Sequence, residues 1–151
     1  MTTTATAQPT RRTTSRTLPT YPSVALLILR LALGAIILAH GAQKLFFYGM
    51  AGTGGSFVEM GVPLGEIAGP IVGLIEFVGG IALVLGVATR IVALLVAIDM
   101  IVATLLVHLL NGIFVADNGF ELTLALAAGM IAFILAGAGR FSVDGLIAAR
   151  R

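Results

Sequence analysis

Four long apolar stretches, each close to the length of a membrane span, constrain this chain more than any other feature. They cover residues 24–47, 67–88, 91–110 and 121–138. A helix needs about 20 apolar residues to cross the hydrocarbon core of a bilayer. Because 58% of the residues are hydrophobic and 11% are charged, a water-soluble fold would expose large apolar patches. The sequence therefore predicts an all-α membrane protein with four transmembrane helices in a compact bundle.

The distribution of charge predicts the orientation of this bundle. If four helices alternate in direction, one side receives the arginines at positions 11, 12, 16, 90, 140, 150 and 151. The other side receives Lys44, Glu59, Glu66 and Asp117. Because cytoplasmic loops carry an excess of Lys and Arg, both termini are expected in the cytoplasm and the protein in the cell (inner) membrane. The basic residues show no interleaving with aromatics, so nucleic acid is not an expected partner.

Composition divides the chain into three parts. Residues 1–23 are rich in Thr and Pro, contain three arginines and lack acidic residues, a pattern typical of a disordered tail. Residues 24–145 form the predicted membrane domain, and residues 146–151 form a basic cytoplasmic end. Within the membrane domain, the Gly-rich residues 48–66 are expected to form a loop.

Charged and imidazole side chains at membrane depth are costly and indicate function by default. The first predicted span carries His40 and Lys44, the second Glu76 and the third His108, while Glu121 begins the fourth. We predict that these five side chains form a ligand-binding cluster. The competing interpretation is that they only hydrogen-bond the helices to one another and to the loops.

Small residues predict which face of the second span is buried. Gly69, Gly73 and Gly80 lie on one helical stripe, and such stripes allow helices to approach closely in a bilayer. Glu76 lies in the middle of this stripe, so its side chain is expected to point into the bundle.

A second pair of charges is expected in the cytoplasmic half of the bundle, about a third of the way in from that end. Arg30 and Asp99 fall at similar depth on the first and third spans and are predicted to form a structural ion pair that fixes helix register. Asp99 and His108 are nine residues apart, which at about 100° per residue places them on opposite faces of a straight helix. The two side chains are therefore not expected to face one cavity.

The residue types in the cluster restrict its chemistry. A quinone headgroup needs hydrogen-bond donors and acceptors beside an apolar slot, which the cluster supplies. Two histidines also suit axial haem ligation, and with Glu76 they suit a 2-His-1-carboxylate site, but no metal site is assigned. The chain has no cysteine, which excludes thiolate nucleophiles, disulfides and Cys-ligated clusters within it.

Several sequence blocks together resemble the DoxX-like membrane proteins. They are RLALGAIILAHGAQKL from Arg30, IEFVGGIALVLGVATR around Glu76, VHLLNGIF with its following GFE, and GAGRFSVD near the C-terminus. The resemblance runs from about Leu29 to Gly145. It implies a four-helix inner-membrane subunit associated with redox systems, in some members with quinone-linked oxidation of sulfur compounds alongside partner subunits.

The expected function is accordingly that of a multi-pass inner-membrane subunit of an oxidoreductase-type system that contacts a quinone. The expected partners are the lipid bilayer, other membrane or soluble redox subunits, and further copies of the chain. Catalysis by this chain alone is not expected, because fold and function separate easily. Two alternatives stay open: a non-catalytic scaffold that recruits a soluble partner, and a pathway for protons or small solutes.

Overall fold

The computed structural model describes residues 20–150, which form six α-helices and no β-strand. The helices are α1 (Thr20–Ala42), α2 (Gly49–Glu59), α3 (Gly65–Leu85), α4 (Thr89–Ala103), α5 (Glu121–Ala136) and α6 (Val143–Ala149). Two π-helical turns, in which one extra residue widens the helix, continue α1 and α4: Gln43–Phe47 and Thr104–His108. Of the expected tail, residues 1–19 lie outside the described part of the chain.

Three continuous helical stretches are long and apolar enough to cross a membrane. They are Tyr21–Phe47, Gly65–Leu85 and Thr89–Asn111, with 27, 21 and 23 residues. These stretches agree with the first three apolar stretches predicted from the sequence. Helix α5 covers the fourth stretch and is apolar, but it has 16 residues. The predicted all-α membrane architecture is thus confirmed for three helices of spanning length.

The Gly-rich residues 48–66 contain a helix where the sequence predicted only a loop. Glycine disfavours an isolated helix by about 1 kcal/mol per residue relative to alanine, but α2 packs closely on α3. A Cβ atom on Gly54 would lie 2.9 Å from the Glu66 carbonyl oxygen, and one on Gly65 would lie 2.5 Å from the Val58 nitrogen. Close packing between α2 and α3 therefore overrides the low helix propensity.

Glycines also bring α1 and α3 into direct backbone contact. A Cβ atom on Gly41 would overlap the Phe77 nitrogen, and one on Gly80 would lie 2.5 Å from the Leu38 nitrogen. Such contacts are typical of helices that associate in lipid. The buried core lies on the inner faces of α1, α3, α4 and α5, and its fully buried members include Ile37, Leu83, Ala93, Val96, Met130 and Phe133.

The chain after α5 folds back across the ends of α3 and α4. Gly137 and Gly139 have φ angles of 78° and 77°, and Gly137 is the C-terminal cap of α5. The Ser142 side chain accepts a hydrogen bond of 2.9 Å from the Gly145 nitrogen and caps α6. We call residues 137–145 the C-terminal segment. Helix α6 continues past residue 145, where the membrane domain was expected to end.

Candidate functional site

The structure corrects the predicted ion pair between Arg30 and Asp99. The Arg30 side chain is 2% exposed. Its Nη1 atom donates to the Ala138 carbonyl oxygen at 3.0 Å, and its Nη2 atom donates to the Phe141 carbonyl oxygen at 2.6 Å. The prediction was wrong because it compared only the depths of Arg30 and Asp99 along their helices. The long Arg30 side chain instead reaches the C-terminal segment, and the position of that segment does not follow from these depths. Arg30 therefore joins α1 to the C-terminal segment.

Asp144 makes the second connection at this end. Its two carboxylate oxygens accept hydrogen bonds of 2.8 Å from the backbone nitrogens of Ala88 and Thr89 at the start of α4. Asp144 forms no ion pair with Arg140, whose guanidinium lies over the Phe141 ring. Partial burial alone would raise the pKa of the Asp144 carboxyl. Hydrogen bonds from Thr89 and Ala88 and the charge of Arg30 outweigh burial and lower that pKa below its ordinary value.

A cavity of about 380 Å³ lies between α1, α2, α3, α4 and α5 at the opposite end of the bundle. Most of its lining is apolar, with side chains such as Phe57 and Met100. Its ionisable lining residues are His40, Lys44, Glu76, Asp99 and His108. An apolar cavity with a few polar groups is the usual form of a small-molecule site. Four members of the predicted cluster thus line one cavity together with Asp99.

An ion pair joins two helices in the wall of this cavity. The Lys44 Nζ atom donates to the Glu76 Oε2 atom at 2.5 Å. The side chain of Glu76 is 3% exposed and that of Lys44 is 20% exposed, so Glu76 points into the bundle, as the glycine stripe predicted. Charge-assisted hydrogen bonds are stronger than neutral ones. The pair fixes α3 against the π turn of α1 and leaves the other Glu76 oxygen without an ionic partner among residues 20–150.

The second π turn explains how Asp99 and His108 line the same cavity, against our prediction. One extra residue in the turn Thr104–His108 reduces the angle between the two side chains from about 180° to roughly 80°. The prediction assumed a straight α-helix and was wrong for that reason. The same turn widens the helix beside the cavity, and π turns occur frequently at functional sites.

His108 and Glu121 also hold the loop between α4 and α5. The Nδ1 atom of His108 lies 2.8 Å from the Asn118 carbonyl oxygen, so this nitrogen carries the proton that is donated. Glu121 accepts a hydrogen bond of 2.7 Å from the Val115 nitrogen and is not among the cavity-lining residues. Glu121 therefore supports the loop, and its expected place in the cluster was wrong.

Threonine hydroxyls brace both π turns, and the sequence analysis missed them. Thr53 of α2 donates from Oγ1 to the Lys44 carbonyl oxygen at 2.6 Å. The Thr104 hydroxyl lies 2.8 Å from the Met100 carbonyl oxygen and 2.7 Å from the Thr123 hydroxyl of α5. These bonds tie the two π turns to α2 and α5. A threonine in an apolar helix is too common to have signalled this role.

His40 connects the cavity to a smaller groove. It lines both the main cavity and a second cavity of about 260 Å³, whose other lining residues are Ala39, Gln43 and Phe47. Among residues 20–150 there is no group of three or more His, Cys, Asp or Glu side chains positioned to hold a metal ion. The two histidines and Glu76 thus do not form the three-ligand metal site considered above.

The helices and the cavity define a helical membrane protein with a ligand-sized cavity whose mostly apolar lining includes a few ionisable side chains. The chain belongs to the DoxX family, whose model matches residues 25–109. It is 33% identical over 133 residues to an uncharacterized membrane protein of Mycobacterium tuberculosis, covering 82% of this chain and 80% of that protein. The predicted family resemblance is therefore confirmed.

Two further relatives carry more informative names. The chain is 35% identical over 102 residues to a Bacillus subtilis protein named "Putative oxidoreductase CatD", covering 68% of this chain and 72% of that protein. It is 31% identical over 124 residues to an Escherichia coli protein named "Inner membrane protein YqjF", covering 82% of this chain and 92% of that protein. No solved structure matches the chain significantly.

Proposed function

We propose that this DoxX-family protein is a multi-pass inner-membrane subunit of an oxidoreductase-type system and that its cavity binds the headgroup of a quinone. The single observation that carries the proposal is the cavity of about 380 Å³, whose apolar lining is interrupted by the Lys44–Glu76 pair, Asp99 and two histidines. A quinone headgroup is apolar across its ring and polar at opposite oxygens, so it needs this combination. The name of the Bacillus subtilis relative supports the oxidoreductase class.

The roles of the lining residues follow from their contacts. The Lys44 ammonium has three N–H donors, of which one is directed at Glu76. The remaining donors suit a quinone oxygen, while Glu76 holds the ammonium in place. His40 and His108 stand on α1 and α4 and line the same cavity. Because the chain has no cysteine, we propose that a partner subunit supplies the electron donor or acceptor.

We further propose that α5 is a fourth span and that both termini are cytoplasmic. Helix α5 has 16 residues, or about 24 Å at a rise of 1.5 Å per residue. It buries Leu126, Met130 and Phe133 within the bundle. Arg90 and Arg140 lie at the end of the bundle opposite the cavity, and the excess of arginine there favours a cytoplasmic location.

The absence of cysteine from the chain makes this topology directly testable. Single cysteines are introduced at Ser56, exposed on α2, and at Ala149, exposed on α6. A membrane-impermeant maleimide applied to spheroplasts should label Ser56→Cys and should label Ala149→Cys only after the membrane is opened. Equal labelling of both positions from the outside would contradict the four-span arrangement.

The test of quinone binding begins with the protein as purified. Mass spectrometry of an organic extract should detect a retained quinone, and titration with a short-chain benzoquinone analogue should give saturable binding. We expect Glu76→Gln and His40→Ala to weaken that binding about tenfold, since a hydrogen bond involving a charged group contributes about 1.5–3 kcal/mol. Glu59→Gln is the matched control, because Glu59 is exposed at the end of α2 and does not line the cavity.

Other results would redirect the assignment. Normal quinone binding by both Glu76→Gln and His40→Ala would remove these residues from the site. A Soret band in the absorption spectrum would indicate haem in place of a quinone. An extract that contains only lipid, together with no binding of the analogue, would leave the scaffold function that the sequence left open.

A further inference from the structure

Helices α3 and α4 separate from each other toward the cavity end of the bundle. Nearer the turn that joins them they are in contact, since a Cβ atom on Gly79 would lie 3.3 Å from a methyl carbon of Val96. Beyond that contact, Glu76, Val72 and Ala68 continue the same side of α3 at helical spacing, and all three line the cavity. Elsewhere α3 packs mainly on α1 and α2, and α4 packs mainly on α5. The cavity therefore continues as a slot between α3 and α4.

This slot opens to the outside of the bundle. On α4, Val102 and Leu106 line the cavity and are 44% and 52% exposed. On the opposite wall, Ile37 of α1 and Leu126 of α5 also line the cavity but are buried in the core. We call the opening the lateral slot and define it by its four lining residues, Ala68, Val72, Val102 and Leu106.

The lateral slot lies at the depth of the lipid chains. The spanning stretch of α4 and its π turn ends at Asn111, and Val102 and Leu106 lie nine and five residues before that end. At a rise of 1.5 Å per residue, these positions are roughly 13 and 7 Å inside the stretch. The side chains that define the lateral slot are all aliphatic. The slot thus joins the cavity to the hydrocarbon core of the bilayer by an apolar path.

We propose that the cavity takes a quinone that carries a long hydrocarbon tail, and that this tail lies in the lateral slot and reaches the bilayer through it. The inference rests on the proposed function, which places the quinone headgroup beside the Lys44–Glu76 pair. It adds the class of quinone, one dissolved in the membrane in place of a small water-soluble one. It also adds the position of the tail.

The groove beside His40 is less suited to a hydrocarbon tail. Its lining includes the His40 imidazole and the Gln43 amide. A tail laid there would cover both polar groups without forming a hydrogen bond to either, and covering an unbonded polar group costs free energy. The lateral slot presents no such group to the tail. Of the two openings, the lateral slot is therefore the one that fits it.

The first experiment compares two probes on the full-length protein in lipid nanodiscs. Both have the same substituted benzoquinone headgroup, and one carries a decyl chain where the other carries a hydrogen. Tryptophan in Val102→Trp would occupy the lateral slot, so we expect the decyl probe to lose roughly tenfold more affinity than the chainless probe, about 1.4 kcal/mol. Each variant is compared with the wild type using the same probe and lipid, so partition of the probe into the lipid cancels.

The matched control for this change is Ile101→Trp. Ile101 is the neighbouring residue, is 43% exposed and does not line the cavity, so its substitution should leave the affinity for both probes unchanged. Equal effects of Val102→Trp on the two probes would overturn the position of the tail and leave the headgroup site standing. Binding of neither probe by the wild-type protein would overturn the proposed function as well.

The second experiment uses the wild-type protein alone, so it decides the question even where Val102→Trp fails to fold. A benzoquinone with a photoreactive diazirine at the end of its decyl chain is cross-linked in nanodiscs, and the labelled peptides are identified by mass spectrometry. Labelling that unlabelled decyl-benzoquinone competes away should fall on α3 and α4 around Val72 and Leu106. Competed labelling around Gln43 and Phe47, or around Val115 in the loop before α5, would overturn the proposal.

Discussion

The two ends of the bundle use buried charge in different ways. At the C-terminal segment, Arg30 and Asp144 direct their hydrogen bonds at backbone atoms of distant elements, so these charges close the fold. At the cavity end, Lys44 and Glu76 pair with each other, and Asp99 lines the same cavity. A buried charge that bonds to backbone atoms of distant elements supports structure, whereas one that lines a cavity is available to a ligand. Changes at the first end should therefore affect stability, and changes at the second should affect binding.

The largest expected effect is that of Arg30→Met. Methionine keeps most of the apolar stem but leaves the carbonyl oxygens of Ala138 and Phe141 without their charged donor. Because hydrogen bonds to charged groups contribute about 1.5–3 kcal/mol each, we expect a loss of about 3 kcal/mol in the free energy of unfolding. Thermal denaturation in mild detergent, followed by circular dichroism, measures this loss.

The control for this change is Arg150→Met, because Arg150 is exposed after α6 and its loss should leave the melting temperature unchanged. Below its melting temperature, the Arg30→Met protein should bind the benzoquinone analogue as the wild type does. A variant that keeps full stability but loses binding would contradict the division between the two ends.

A smaller and more selective effect is expected from Thr53→Val. The substitution keeps the shape of the side chain but removes the hydroxyl that donates to the Lys44 carbonyl oxygen. We expect a loss of about 1 kcal/mol in the free energy of unfolding and a several-fold weaker affinity for the analogue, because the π turn that carries Lys44 is less firmly held. Ser56→Ala is the control, since the Ser56 hydroxyl donates an exposed hydrogen bond to the Gly52 carbonyl oxygen within α2. Reduced stability with unchanged affinity would show that Thr53 supports α2 alone.

The sequence predicted the three spanning helices, because a helix must carry about 20 apolar residues to cross the hydrocarbon core and such a run is visible in the sequence. It predicted the burial of Glu76 for a similar reason, since glycines mark a helix face that packs. Helix α2 was missed because its glycines disfavour a helix in isolation and its stability comes from contact with α3. Local sequence patterns carry little information about such contacts between distant segments.

The sequence predicted most of the residues of the candidate site, but it did not predict how their side chains are arranged. His40, Lys44, Glu76 and His108 line the cavity, but Asp99 was placed in an ion pair with Arg30. The sequence did not show that Arg30 bonds to the C-terminal segment. It also did not show the π turn that changes the direction of the His108 side chain. A single inserted residue in a helix changes the direction of every later side chain by about 100°. Arguments from ideal helical periodicity therefore fail beyond such a turn.

The smallest expected effect is the pH dependence of the stability that Asp144 contributes at the C-terminal segment. The pKa of the Asp144 carboxyl is lowered in the folded protein, so its stabilising contribution is present above the ordinary carboxyl pKa of about 3.9 and is lost as pH falls through the lower folded value. The melting temperature of the wild type should exceed that of Asp144→Asn at neutral pH, and the difference should shrink below about pH 3.5. Asp117→Asn, in an exposed loop, should show no such change. A difference in melting temperature that stays constant with pH would mean that the hydrogen bonds from Ala88 and Thr89 do not depend on the charge of Asp144. The contrast between the two ends of the bundle would then rest on Arg30 alone.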